Sequence, residues 1–118
     1  AATKVIKKRL LEFGIIKEES EYKKYFMHGT SHYLGLDVHD VGLYGSLNPG
    51  MVITVEPGIY IKEGSKCDPK WWNIGVRIED DILITENSPE VISGCVPKKT
   101  NEIELLMQSD SYFTPQKK

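Results

Sequence analysis

The chain has 118 residues, 40% hydrophobic and 27% charged, ordinary globular usage that allows one domain with a modest core. Lys and Arg number 15 against 17 Asp and Glu, a net charge of -2, which removes the basic footprint of a nucleic-acid or anionic-membrane binder. Apolar runs such as Met51-Val52-Ile53 fall far short of a membrane span, and no secretory apolar stretch follows the start.

Val5, Ile6, Leu10, Leu11 and Phe13 follow helical spacing, with Thr3 available as cap and Gly14 as stop. Residues 17–24 are a charged connection with the character of a solvated surface. From Tyr25 to Gly45 helical periodicity disappears and Gly29, Gly35 and Gly42 mix with His28, His32 and His39, a glycine density that lets backbone approach something closely. Asn48-Pro49-Gly50 then turns the chain into a strand over 51–56, broken at Pro57-Gly58 and resumed at 59–61. Residues 62–73 form a loop whose Trp71 and Trp72 serve packing or partner contact. Strands are expected over 74–79, 82–85 and 90–96, then a helix over 101–107 with Glu104 placed for a capping box, and a frayed tail over 109–118 that leaves 1–108 as the domain. The order predicts an α+β fold with a mostly antiparallel sheet.

Cys67 sits in a polar loop and Cys95 in an apolar strand pattern, with no C-x-x-C spacing. They read as free, unreactive thiols in a reducing, cytoplasmic setting rather than as a zinc knuckle or disulfide framework.

All three histidines fall between positions 28 and 39, and clustered imidazoles suggest metal binding or proton transfer. His28 and His32 have zincin spacing, but Gly29 stands where that motif needs Glu, so the zincin reading fails. Strand alternation puts Val52, Thr54 and Glu56 on one face, with Glu56 ending the strand in apolar company. Arg77 and Glu79 share a face of the later strand, which leaves Glu79 open to three readings: solvated, paired with Arg77, or a ligand. Taken alone, His39 reads as a structural hydrogen-bond donor.

Four stretches carry a resemblance: His28-Gly29-Thr30-Ser31-His32 through Leu36-Asp37-Val38-His39-Asp40; Leu47 through Glu56-Pro57-Gly58-Ile59-Tyr60; Gly75-Val76-Arg77-Ile78-Glu79-Asp80-Asp81; and Val96-Pro97-Lys98-Lys99. Together they resemble the C-terminal part of Xaa-Pro aminopeptidases (aminopeptidase P), pita-bread metallopeptidases related to prolidase, creatinase and methionine aminopeptidase. The histidine-rich stretch favours the aminopeptidase P and prolidase branch.

The resemblance implies the C-terminal half of a pita-bread fold, a curved, mostly antiparallel sheet with flanking helices. It implies His32, Glu56 and Glu79 as ligands of two divalent ions, manganese foremost with cobalt or zinc as substitutes, Glu79 bridging them. A metal-bridging hydroxide would attack the peptide carbonyl, with Glu56 as proton acceptor and His28 and His39 touching substrate and the tetrahedral intermediate. Arg77 and Tyr60 would line the substrate side and hold the ligands, Asp37 and Asp40 would be structural, and the substrate would be a peptide with proline second. The family's two aspartate ligands have no counterpart, since no Asp precedes Asp37 and the chain opens at Ala1 without Met. The chain is therefore expected to be half of a catalytic domain, inactive alone, binding metal weakly and self-associating as a homo-oligomer through its open sheet. The alternatives are a non-catalytic binding module or, within the enzyme class, a prolidase.

Overall fold

Helix α1 (Ala2–Glu12) forms where the apolar stripe predicts it, but Thr3 lies inside it and caps nothing. The helix begins on backbone alone, with Lys4 and Val5 N–H donating to the Ala1 carbonyl at 3.1 and 3.4 Å. Gly14, at φ 66°, ends it: Gly14 N–H donates to Leu11 O and Ile15 N–H to Leu10 O, both at 2.9 Å. This is a Schellman closure, which needs a left-handed residue at that step and brings Ile15 against Leu10. The computed structural model describes residues 1–109, so the tail expected over 109–118 lies beyond Ser109 outside the described residues.

The charged connection contains a 3-10 helix, Glu19–Lys24, that its composition does not announce. Glu21 closes a capping box with Glu18 and accepts from the N–H of Lys17 at 2.8 Å and of Glu18 at 3.3 Å. The Lys24 ammonium foremost, then those two amides, hold the Glu21 carboxyl down at about 2.

Strands β1 (Val52–Val55), β2 (Gly58–Ile61), β3 (Ile74–Arg77) and β4 (Asp80–Leu83) form two antiparallel ladders in two sheets. β1 pairs β4 with Val55 opposite Asp80, and β2 pairs β3 with Gly58 opposite Arg77. One register runs through both, so residues 52–61 and 74–83 are a single long hairpin opened at its middle, and Glu56 faces Glu79 across the opening. Pro57, which can donate nothing to a ladder, sits at the break.

Strand β5 (Glu90–Val91) extends the first sheet beside β4 and stops well short of 96. Beyond it side chains replace the ladder: Ser93 Oγ accepts from Asp81 N–H at 3.0 Å and donates to Asp80 at 2.8 Å, and Lys98 pairs with Asp80. Cys95 consequently lies exposed in a turn rather than in an apolar strand. Helix α2 (Thr100–Gln108) starts from Lys99 without a side-chain cap, so Glu104 makes no capping box; its first turn is tied by a Lys99–Glu102 pair at 3.1 Å.

The core joins α1 to the second sheet. Leu10, Ile15, Ile16, Tyr25 and Ile61 are buried together, and Trp71 and Trp72 pack against them, with the Trp72 indole N–H donating to Ser65 O at 3.0 Å. No helix among the described residues is long and apolar enough to cross a membrane.

Candidate metal centre

The opening in the long hairpin sets two carboxylates opposite each other, an arrangement that like charges disfavour unless a cation lies between them. Arg77, the last residue of β3, does this: its Nη1 donates to Glu56 and to Glu79, each at 2.8 Å. Glu79 is therefore paired with Arg77, as its strand position allows, and also faces Glu56.

His32 supplies the third group. The irregular segment is bound to β1 by backbone, with Thr54 N–H donating to His32 O at 2.9 Å and Glu56 N–H to Thr30 O at 2.8 Å. His32 Nδ1 lies 3.0 Å from Tyr33 O; a carbonyl only accepts, so Nδ1 carries the proton. Its Nε2 lone pair then points at Glu56 Oε1, 2.9 Å away. A lone pair facing a carboxylate calls for a proton or a metal cation at that point, and an imidazole oriented by a carbonyl on its far nitrogen is the arrangement metal-ligating histidines use. One ligand atom each from His32, Glu56 and Glu79 fall within 4.8 Å of one another. Imidazole nitrogen and two carboxylate oxygens suit manganese, cobalt or zinc, so the donor set fits the divalent ions that the resemblance implies.

Thr54 was not singled out in the sequence and is the most buried polar residue among the described residues, 1% exposed. Its hydroxyl accepts from His32 N–H and donates to Glu56 Oε1, both at 3.1 Å, so it joins two of the three groups. The alternation that placed Thr54 on the face of Glu56 was the signal for it. Burial pushes the Glu56 carboxyl up, but hydrogen bonds from Arg77 and Thr54 and the charge of Arg77 outweigh this and hold it below the usual carboxylate range. The Arg77 guanidinium is correspondingly pushed up, chiefly by its bond to Glu56.

His28, His39, Tyr60 and Arg77 line the same cavity of about 430 Å³ as His32 and Glu56. Tyr60 does not reach the carboxylates as Arg77 does. Its hydroxyl meets His28 Nε2 at 2.9 Å, while His28 Nδ1 sits 2.6 Å from Gly29 O. Gly58 permits that bond, since a Cβ there would lie 2.5 Å from the Tyr60 hydroxyl and 2.8 Å from His28 Nε2. The His39 ring lies edge-on to His32, centroids 4.2 Å apart. Asp40 stays out of the site, its carboxylate accepting from Leu36 and Val41 N–H at 2.9 and 2.8 Å.

The chain as a whole is similar to known proteins. The chain is 48% identical over 110 residues to an Xaa-Pro aminopeptidase of Escherichia coli (strain K12), an alignment covering 83% of this chain and 25% of that protein. It superimposes with a TM-score of 0.79 and 46% identity on aminopeptidase P from E. coli with the inhibitor Pro-Leu, and equally on the Zn-substituted E. coli enzyme in complex with product. Each superposition covers 89% of this chain and 27% of the other, so the chain has the fold of that part of aminopeptidase P and spans about a quarter of its relatives' length. The family model of metallopeptidase family M24 matches residues 1–86, a span that includes the paired carboxylates and all three histidines, and the chain belongs to that family.

Proposed function

We propose that this chain carries part of the active site of a metal-dependent Xaa-Pro aminopeptidase, releasing an N-terminal residue that precedes proline. The observation that carries the reading is the hairpin opening, where Glu56 and Glu79 face each other and His32 Nε2 comes within 2.9 Å of Glu56. His32, Glu56 and Glu79 would hold the metal, two divalent ions with manganese foremost, and the bound metal supplies the Lewis acidity that polarises a peptide carbonyl and acidifies water. With only three of the family's ligands on this chain, the remainder comes from a further part of the site, and the chain alone binds metal weakly and is inactive. A cytoplasmic setting rests on the free thiols of Cys67 and Cys95.

The chain's own residues take distinct parts. Glu56, held ionised below the ordinary carboxylate range, is the proton acceptor. Arg77 keeps both carboxylates aimed at one point and neutralises part of their repulsion. His28 has both ring nitrogens engaged, by Gly29 O and the Tyr60 hydroxyl, so it shapes the substrate wall. His39 has no hydrogen bond among the described residues, which leaves an imidazole N–H free to donate to an oxyanion.

The test is hydrolysis of Ala-Pro-Phe against Ala-Ala-Phe by the full-length aminopeptidase that carries this segment, loaded with manganese. Manganese-dependent release of alanine from the proline peptide alone is expected, and Glu79→Gln should cut that rate by orders of magnitude. Activity of Glu79→Gln within a few fold of the parent, or equal cleavage of both peptides, contradicts the assignment.

A further inference from the structure

A second cavity of about 430 Å³ adjoins the metal pocket, with Tyr60 in the wall of both. Its floor is carbon, from the buried Tyr25 ring, Tyr60 and Met27, and Lys24, Lys62 and Lys66 stand around it. The floor is fixed, because Tyr60 N–H donates to Tyr25 O at 2.9 Å. The rim is fixed too: Ser65 N–H and Oγ donate to Lys62 O at 3.2 and 2.7 Å, a tight turn through Gly64 at φ 77° that brings Lys62 and Lys66 to the same opening. Lys24 is neutralised by Glu21, whereas Lys62 and Lys66 have no acidic partner among the described residues. Two uncompensated ammonium groups over an apolar floor match a ligand with a carboxylate on a short carbon stem.

We propose that this cavity is a subsite for a peptide carboxylate, on an acidic side chain or at the C-terminus, carried beyond the scissile bond. The proposal rests on the metallopeptidase reading for its substrate. Because Tyr60 lines both cavities, a peptide in the metal pocket that continues past Tyr60 brings a following residue to the lysines. Glu56 and Glu79 repel the same carboxylate from the metal pocket, which orients the peptide.

The test is an NMR titration of the ¹⁵N-labelled, metal-free full-length aminopeptidase that carries this segment with three N-acetylated peptides: Ala-Pro-Glu amide, with a side-chain carboxylate only; Ala-Pro-Gln acid, with a C-terminal carboxylate only; and the neutral Ala-Pro-Gln amide. At low salt, at least one acidic peptide should bind roughly five- to tenfold tighter than the neutral one, two exposed ion pairs' worth, and should shift the amides of 62–66. The arm that binds identifies the source of the carboxylate. The preference should vanish in the Lys62→Gln/Lys66→Gln chain, both residues being exposed, and shrink in high salt. Equal affinity for all three peptides, shifts confined to other residues, or a preference unchanged in the double variant overturns the proposal. Neither metal nor turnover enters this titration, so a failed metal titration and a failed carboxylate titration are separate results.

Discussion

Arg77 is the residue on which the site's charge balance turns. It donates at 2.8 Å to each of two carboxylates that the strand register sets against each other. Replacing it with Met leaves Glu56 and Glu79 facing with only His32 beside them, and loss of an orienting partner of this kind costs about 10- to 100-fold in metal affinity. Arg77→Met should therefore weaken manganese binding by that factor while leaving the fold intact, since Arg77 is exposed; unchanged affinity in a manganese titration would show that Arg77 does not hold the ligands. At this scale the sequence was most legible for His32, Glu56 and Glu79, because alternation and motif position each depend on few residues. Thr54 was passed over because a threonine in a strand is ordinary, and its importance comes only from what its hydroxyl joins. The partner of Tyr60 was also illegible: whether a phenol reaches a carboxylate or His28 depends on side-chain placement that spacing does not encode.

At the scale of elements, charged side chains finish what the backbone leaves open. Glu21 closes the 3-10 helix and Asp80 clasps Ser93 and Lys98 where β5 ends. The Asp80 carboxyl is held below its ordinary value, by Lys98 first and then Ser93, and Glu21 at about 2 against an ordinary 4.5. Folded values below unfolded ones mean that both groups contribute fully above their ordinary values and lose that contribution as pH falls, Glu21 from 4.5 towards about 2 and Asp80 below 3.8. Urea midpoints should fall across this window, and Asp80→Asn should lower the midpoint at pH 7 while flattening its acid limb. An Asp80→Asn midpoint parallel to the parent at every pH would remove the clasp from the account of acid stability. The clasp explains why the last strand was read too long: residues 90–96 have strand composition, but Ser93 bonds side chain to strand and ends the ladder. The first helix and its stop at Gly14 were legible because both depend on local spacing alone, whereas the box formed by Glu18 and Glu21 hid in a run that charge alone describes as surface.

As a whole molecule the chain is open. Its accessible surface is 9596 Å², against about 6,500 Å² for a compact monomer of this mass, and its radius of gyration is 18.0 Å, against about 13.5 Å for a compact chain of this length. Leu36, Val41, Leu43 and Tyr44 are all more than four-fifths exposed in the segment that carries His39, and apolar surface of this extent drives association. The isolated chain should therefore self-associate at micromolar concentration; light scattering that returns the monomer mass, together with cooperative unfolding, would contradict this. The α+β class and the antiparallel pairing were legible at this scale because they follow from element order. The opening of one hairpin into two sheets was not, since the break at Pro57 is visible in the sequence but the continuity of register across it is not.

The central claim is that His32, Glu56 and Glu79 are a metal centre, and calorimetric titration of the purified chain with manganese tests it most directly, with His32→Ala as control. Weak, saturable binding that is lost in His32→Ala is expected, because His32 supplies the one nitrogen donor among the three groups. Binding of equal strength in His32→Ala, or none in the parent chain, would contradict it.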